Sequence, residues 1–346
     1  MDAKAYLKDY AATAEIYLKS YFGKKIRQAK KIDPVAADAL SILEKYIEGG
    51  KKIRGALTVL GYQLAGGKDL KSILPVSVAL EIVHSSILIH DDFIDRDLTR
   101  RGKPTVHSIY GKKRGGHYGA SMAVVVGDVG IFLTHQIFAE SNFAKVKVTK
   151  ALSEFDRFLV NTGYGELMDI EFDFKKIITW DDIAKVRIYK TAHYTFVTPL
   201  IVGAILGGAE DKVLKAIKSY GESVGLAFQL RDDILGVFGN EDETGKSAES
   251  DIKDGKRTLL FAKAYELAGT GDKDFLKKYY GSAELDKNKL RQIRQIFEKS
   301  GALDFTQEKA WDYTLRGKSF VGKITNNPKY KSLLSDLADL MVTREK

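Results

Sequence analysis

There is no cysteine in this sequence. Disulfides and zinc–thiolate sites are therefore excluded, and a reducing compartment fits. Proline is nearly as scarce, with 5 in 346 residues. Interior proline breaks helices, so long uninterrupted helices are expected. Strand-like alternation, internal repeats, low-complexity segments and obvious linkers are also missing. No apolar run reads as long enough to cross a bilayer. The N-terminal stretch, MDAKAYLKDYAATAEIYLKSYFGKK, has acidic residues early and no apolar core, unlike a secretory leader. These absences point to a cytoplasmic chain with no transmembrane segment.

What is present is ordinary for a globular protein: 44% hydrophobic and 29% charged residues. The net charge of +9 fits a lysine-rich surface, nucleic acid, an anionic membrane or a polyanionic substrate. Aromatic residues do not interleave with the basic runs, so no nucleic-acid partner is expected.

Helical spacing dominates. Asp33 followed by Pro34 reads as a cap and first helical residue, and Gly49 and Gly50 close that helix. Long helices are expected from about Leu70 to Asp97, His117 to Glu140, Lys145 to Phe174, Asp181 to Gly208 and Asp211 to Phe238, with Pro75 in the first turn of its helix. Gly221 and Gly225 lie four apart and would permit close packing on one face. Shorter helices follow to the C-terminus. No composition shift marks a boundary, so residues 1–346 read as one all-α domain. Two polar segments break the pattern, Arg100 to Thr105 and about Gly239 to Lys256. Polar segments of the latter's length in a helical domain are often functional.

Two acidic clusters each close an apolar helical stretch. In the first, Asp91 and Asp95 share a helix face, where like charges repel and a cation is needed. With thiols absent, the natural ion is Mg²⁺, which takes oxygen ligands and keeps phosphate oxygens in its shell. The second cluster is Gln229-Leu230-Arg231-Asp232-Asp233. Two such helices facing each other could hold several Mg²⁺ ions and a diphosphate. Basic residues lie near them: Lys51, Lys52 and Arg54, then Arg100 and Arg101, then Lys190, Lys246 and Lys256. Each alone reads as surface charge, and their company with the acidic clusters suggests phosphate binding.

The pieces stand in a fixed order: GKKIR (50–54), EIVH (81–84), DDFID (91–95), RRGKPT (100–105), VGD (126–128), GELMD (165–169), KTA (190–192), FQLRDD (228–233) and GKSAESDIKDGKRT (245–258). In this order the chain resembles the trans-isoprenyl diphosphate synthases, or polyprenyl synthetases, and in character the archaeal geranylgeranyl diphosphate synthases. The resemblance implies the isoprenoid synthase fold, a single-domain bundle of long, mostly antiparallel helices around a central cavity. It implies head-to-tail condensation of isopentenyl diphosphate with an allylic diphosphate, three Mg²⁺ ions with substrate bound, and a homodimer. Carried over by residue, Asp91, Asp95 and Asp232 would ligate metal. Arg100, Lys190, Lys246 and Lys256 would contact the allylic diphosphate, and Lys51, Arg54, His84 and Arg101 the isopentenyl diphosphate. Lys190 through its carbonyl, with Thr191 and Gln229, would face the developing allylic cation. Without the resemblance, His84 reads first as a core histidine bonded to a neighbour.

Two positions depart from the family pattern. Gly236 stands where the second acidic motif ends in aspartate, and Glu166 where the family has glutamine. Because the first aspartate of that motif is the family's principal ligand, Gly236→Asp is expected to change turnover by less than about tenfold. The family pattern also places chain-length residues before the first motif. Those positions hold Ser86 and Ile87, neither aromatic, with Val83 and Ile82 a turn deeper and Phe132 from a neighbouring helix as further candidates for the tunnel floor. The expected product is geranylgeranyl diphosphate, with a twenty-five-carbon or longer chain as the alternative. A His-Asp phosphohydrolase would need several histidines near the aspartates, where only His84 and His90 lie. A silent partner subunit would have lost aspartates or basic residues that are all retained here.

Overall fold

Aspartate and asparagine side chains start many of the helices. Asp2, Asp33, Asp69, Asp286 and Asn327 each accept a hydrogen bond from a backbone N–H of the first turn, satisfying donors that the helix itself cannot. The computed structural model describes residues 2–172, 174–175, 179–239, 250–282 and 284–344. It is all-α, as expected, with α1 (Ala3–Lys30), α2 (Pro34–Ile47), α3 (Ile53–Leu64), α4 (Leu70–Ile94), α5 (Val106–Arg114), α6 (Gly116–Ala139) and α7 (Lys145–Phe172) in its first half. Then come α8 (Trp180–Val186), a π-helical stretch (Arg187–Val197), α9 (Thr198–Gly207) and α10 (Asp211–Phe238). The remaining helices are Ser250–Lys253, Leu259–Leu267, Thr270–Tyr279, Lys287–Lys299, Ala302–Lys318, Val321–Ile324 and Pro328–Thr343.

Most of these bounds agree with the spacing, and three details differ. Pro75 lies inside α4, beyond the first turn. The segment from 181 to 208 is not one α-helix, because its middle is wound as a π-helix. The loop at Arg100 to Thr105 contains a small antiparallel hairpin pairing Thr99 with Pro104 and Arg100 with Lys103. Arg101 (φ 52°) and Gly102 (φ 70°) turn it, both left-handed, as a two-residue hairpin connection requires.

The chain forms two compact units, Met1–Asp156 with Thr198–Leu214, and Arg157–Val197 with Lys215–Lys346. In the first, α4 is buried around much of its circumference, including Ile73, Val76, Val78, Leu80, Ile82 and Val83. The backbones of α3 and α9 nearly touch. A Cβ on Gly61 would lie 2.2 Å from the Leu200 carbonyl oxygen, and one on Gly203 would lie 1.9 Å from that of Thr58. In the second unit, Gly221 and Gly225 of α10 serve the close packing expected of them. A Cβ on Gly225 would meet Ala192 at 2.5 Å, and one on Gly221 would meet Val197 at 2.9 Å.

By length and composition alone, α4 and α6 are apolar enough to cross a bilayer, contrary to the sequence expectation that no run reaches that length. In α4, 67% of the apolar window is buried within the protein, as in a core helix. The α6 window is only 39% buried. Its uncovered residues include Val124, Val125, Val129 and Phe132. Phe132 is 71% exposed and so does not cap an enclosed cavity among the described residues, as the sequence had suggested.

Substituting Gly203→Ala should force α3 and α9 apart and lower stability by about 1–3 kcal/mol, the usual cost of overpacking. Urea unfolding of the variant and parent measures this. An unchanged midpoint would show that the two backbones can separate at no cost.

Candidate active site

Successive residues on an α-helix point about 100° apart, given 3.6 residues per turn. Two adjacent aspartates therefore face different surroundings. At the end of α4, Asp92 turns inward and is fully buried, while Asp91 and Asp95 lie toward the rim. Asp95 follows one turn after Asp91, its N–H donating to the Asp91 carbonyl at 2.8 Å. The C-terminal end of a helix carries partial negative charge, so carboxylates there need a cation all the more.

Arg100 of the hairpin supplies one. Its Nε donates to Asp92 Oδ1, and its Nη2 lies 3.2 Å from Asp91 Oδ2 and 3.6 Å from Asp97 Oδ2. The Tyr46 hydroxyl, from the end of α2, donates to the other oxygen of Asp92. Burial raises the Asp92 pKa, and Arg100 and Tyr46 oppose that rise.

A basic group adjoins this cluster in the same unit. Arg101 reaches across Gly50, where a Cβ would lie 3.1 Å from its Nη1. His84 is pushed well below the usual histidine range by desolvation first, then by Arg54, Arg101, Arg100 and Lys52. It is thus a neutral imidazole among cations. Of the GKKIR lysines, Lys51 is exposed and Lys52 is buried, its ammonium held by the Ile47 and Gly49 carbonyls and by Glu15 at 3.1 Å. Glycines at 49 and 50 and a left-handed Lys52 make the tight turn that brings this about. Ser86 and Val83 are buried on α4, and Ile87 is partly so. A Cβ on Gly130 of α6 would lie 1.9 Å from the Ser86 hydroxyl.

The second unit repeats the division of labour. Asp233 on α10 is buried, and its Oδ1 accepts from Gln229 Nε2 at 3.0 Å and lies 3.1 Å from Arg187 Nη2. Asp232 keeps 52% of its side chain exposed and pairs with Arg344 at 2.9 Å. Burial lifts the Asp233 pKa to about 6 against the opposing pull of Arg187 and Gln229. Burial works against the charge of Arg187, but Asp233, Asp169, Asp251 and Asp232 outweigh it and raise its pKa. Lys190 bridges Glu166 at 2.8 Å and Asp169 at 2.7 Å. The glutamate that departs from the family pattern thus shares this ammonium. Asp169 is held below the usual carboxylate range, because Lys190 and Arg187 overcome its desolvation. Thr191 follows Lys190 in the π-helical stretch. Lys256 lies 3.2 Å from Asp251. Lys246 falls outside the described residues.

The sequence missed Tyr46, Arg187, Asp251 and Arg344. Arg187 had a legible signal, a lone arginine three residues before Lys190 in a stretch with a buried face. Arg344 had none, being 112 residues from Asp232.

The polyprenyl synthetase family model matches residues 38–297. The chain belongs to this family. It is 31% identical over 297 residues to the geranylgeranyl diphosphate synthase of Methanosarcina mazei, covering 86% of each chain. It is also 31% identical over 300 residues to the (2E,6E)-farnesyl diphosphate synthase of Mycobacterium tuberculosis, covering 86% of this chain and 80% of that one. Its structure superposes on the geranylgeranyl pyrophosphate synthase of Corynebacterium glutamicum, solved with isoprenyl diphosphate and magnesium, with a TM-score of 0.92 at 27% identity over 98% of this chain and 99% of that one. Membership supports prenyl-chain elongation on isoprenoid diphosphates. The equal identity to two relatives with different products leaves chain length to the residues themselves.

The acidic residues fit the metal expected of a polyprenyl synthetase. Among the described residues no three His, Cys, Asp or Glu side chains form a ready cage. In the first unit Asp91 and Asp95 offer few, hard oxygen donors, a chemistry that suits Mg²⁺ carried in with phosphate oxygens and water.

The geometry corrects the expectation for Gly236. A Cβ there would lie 2.0 Å from Asp251 Oδ2, so the space of a side chain at 236 is already filled by a carboxylate from another helix. Gly236→Asp should therefore lower turnover by more than about tenfold, as overpacking and like-charge crowding combine. Adding Asp251→Gly should return part of the loss. Initial rates for the parent, single and double variants test this, and a Gly236→Asp enzyme with parental turnover would refute it.

Proposed function

We propose that the protein, acting as one domain over residues 1–346, condenses isopentenyl diphosphate with an allylic diphosphate to make geranylgeranyl diphosphate. The observation that carries this reading is the side-by-side arrangement in the first unit. Asp91 and Asp95 lie at one helix end, Arg100 bonds Asp91, and Arg100 together with Arg54 and Arg101 surrounds His84. Carboxylates can hold the cation that a diphosphate brings, and the basic group can hold a second diphosphate.

In this reading Asp91, Asp95 and Asp232 would hold Mg²⁺, which when bound would supply the positive charge that makes the allylic diphosphate a leaving group. Arg100, Lys190, Lys246 and Lys256 meet the allylic diphosphate, and Lys51, Arg54, His84 and Arg101 orient isopentenyl diphosphate. The backbone carbonyl of Lys190, with Thr191 and Gln229, faces the developing allylic cation in this reading. The allylic C–O bond breaks and releases diphosphate, the double bond of isopentenyl diphosphate attacks the allylic cation, and the released diphosphate takes the proton lost. The protein's contribution is orientation, charge and exclusion of water.

Small Ser86 and aliphatic Ile87 and Val83 support a product longer than farnesyl diphosphate. The exposed apolar ridge of α6, with Val125, Val129 and Phe132 at helical spacing, supports a homodimer. A cytoplasmic setting accords with the absence of cysteine.

Two experiments test the reading. Asp91→Ala and Asp232→Ala should each cost about 3 kcal/mol or more of transition-state stabilisation, measured as turnover of labelled isopentenyl diphosphate. The parent should be inactive in EDTA and recover with Mg²⁺. Full turnover in EDTA would sink the mechanism. Separately, Ser86→Phe should shorten the extracted product toward farnesyl diphosphate. An unchanged chain would remove position 86 from the tunnel.

A further inference from the structure

We infer that Arg187, which lies outside every motif above, is a positioning residue for the reaction. Its guanidinium holds the buried Asp233 in place, and Asp233 in turn fixes the side-chain amide of Gln229.

The argument begins with Asp233. Gln229 Nε2 donates to Asp233 Oδ1 at 3.0 Å. That fixes the amide's rotation and leaves its oxygen facing away from Asp233. Arg187 Nη2, 3.1 Å from the same Oδ1, anchors the acceptor. All three groups are largely out of water, with side-chain exposures of 13% for Arg187 and 3% for Asp233, and Gln229 8% exposed overall.

The first acidic pair shows the same construction from different parts. Asp92 is buried, an arginine grips one oxygen, and a second side chain, Tyr46, bonds the other. In each pair the second aspartate is committed to an arginine and the first remains nearer the rim.

Stability alone does not account for such a group. Replacing a buried ion pair with apolar side chains of similar volume is often neutral or stabilising. What an apolar replacement could not provide is a fixed acceptor for Gln229. Arg187 also begins the π-helical stretch that carries Lys190 and Thr191, so one residue ties that stretch to α10 at the height of Gln229. Such stretches recur at functional sites.

The inference rests on the proposed role of Gln229 beside the developing cation, and the test separates the two. Steady-state kinetics are measured with both substrates for the parent, Arg187→Met, Arg187→Lys, Arg187→Met/Asp233→Asn, Gln229→Ala and Arg187→Met/Gln229→Ala, with thermal unfolding recorded for each. Arg187→Met should lower kcat by about tenfold to a hundredfold, the effect of a small misplacement, while both KM values move by less than about threefold. Arg187→Lys should recover part of kcat. So should Arg187→Met/Asp233→Asn, because a neutral asparagine can accept from Gln229 without a lone buried charge. This double variant and Arg187→Lys also carry the test if Arg187→Met does not fold. In the Gln229→Ala background, removing Arg187 should change kcat by less than about twofold, since the group it positions is gone.

A kcat for Arg187→Met within twofold of the parent would overturn the inference. So would losses that multiply in the Gln229→Ala background, or a double Arg187→Met/Asp233→Asn variant that folds like the parent and recovers nothing. These outcomes leave the prenyl-transfer reading intact. A parent that makes no prenyl diphosphate from either starter would instead remove both.

Discussion

An ionised carboxylate taken out of water costs several kcal/mol unless a cation goes with it, and in each of its two acidic pairs this protein takes one out, Asp92 and Asp233. Each has an arginine beside it, Arg100 in one unit and Arg187 in the other. Much of the candidate site follows from this constraint. Because adjacent helical residues point in different directions, burying the second aspartate of each pair turns the first toward the rim. Because the buried one must be paired, an arginine is brought close to the rim carboxylate too, as Arg100 is to Asp91 at 3.2 Å. The acidic edge is thus held in shape before any divalent ion arrives.

The same constraint explains which parts of the site were legible in the sequence. Asp91 and Asp95 announce themselves by spacing, because a helix converts spacing directly into a shared face, and Asp232 by the motif in which it stands. The basic residues at 51–54 and 100–101 were legible by kind and order, and the structure sorts them. Lys51 is left exposed, while its neighbour Lys52 is drawn inward by a left-handed turn that spacing does not reveal. Gly221 and Gly225 were legible as a packing face because four-residue spacing is local information. Asp251 and Arg344 were not, since each acts on a residue outside its own helix, and Arg187 showed only as an arginine near Lys190. Asp251 shows this most clearly: only the folded chain places its carboxylate where a side chain on Gly236 would go.

The helix from 180 to 207 was legible as helical but not as three pieces. A π-helical stretch satisfies its hydrogen bonds with a wider turn, and apolar periodicity barely distinguishes it from an α-helix. Here the wider turn is packed against glycines of α10, with Ala192 close to Gly225 and Val197 close to Gly221. Irregular winding is tolerated there because the partner helix offers backbone instead of side chains. Charged residues then cluster at the start of this stretch, where Arg187 and Lys190 pair with Asp233, Glu166 and Asp169 between them.

The pairing of Asp232 with Arg344 has a consequence in time. The Arg344 guanidinium stacks on the Phe228 ring at 3.8 Å and donates to the Phe228 carbonyl as well as to Asp232, while Arg231 bonds back to the Arg344 carbonyl. Domains fold as their residues emerge from the ribosome. Translation has to run past residue 344 before α10 gains these partners, and the segment from Arg157 to Val197 likewise waits for the later residues of its own unit. A nascent chain therefore carries its acidic residues well ahead of the arginine that steadies Asp232, and the second acidic pair is finished only after residue 344 has emerged.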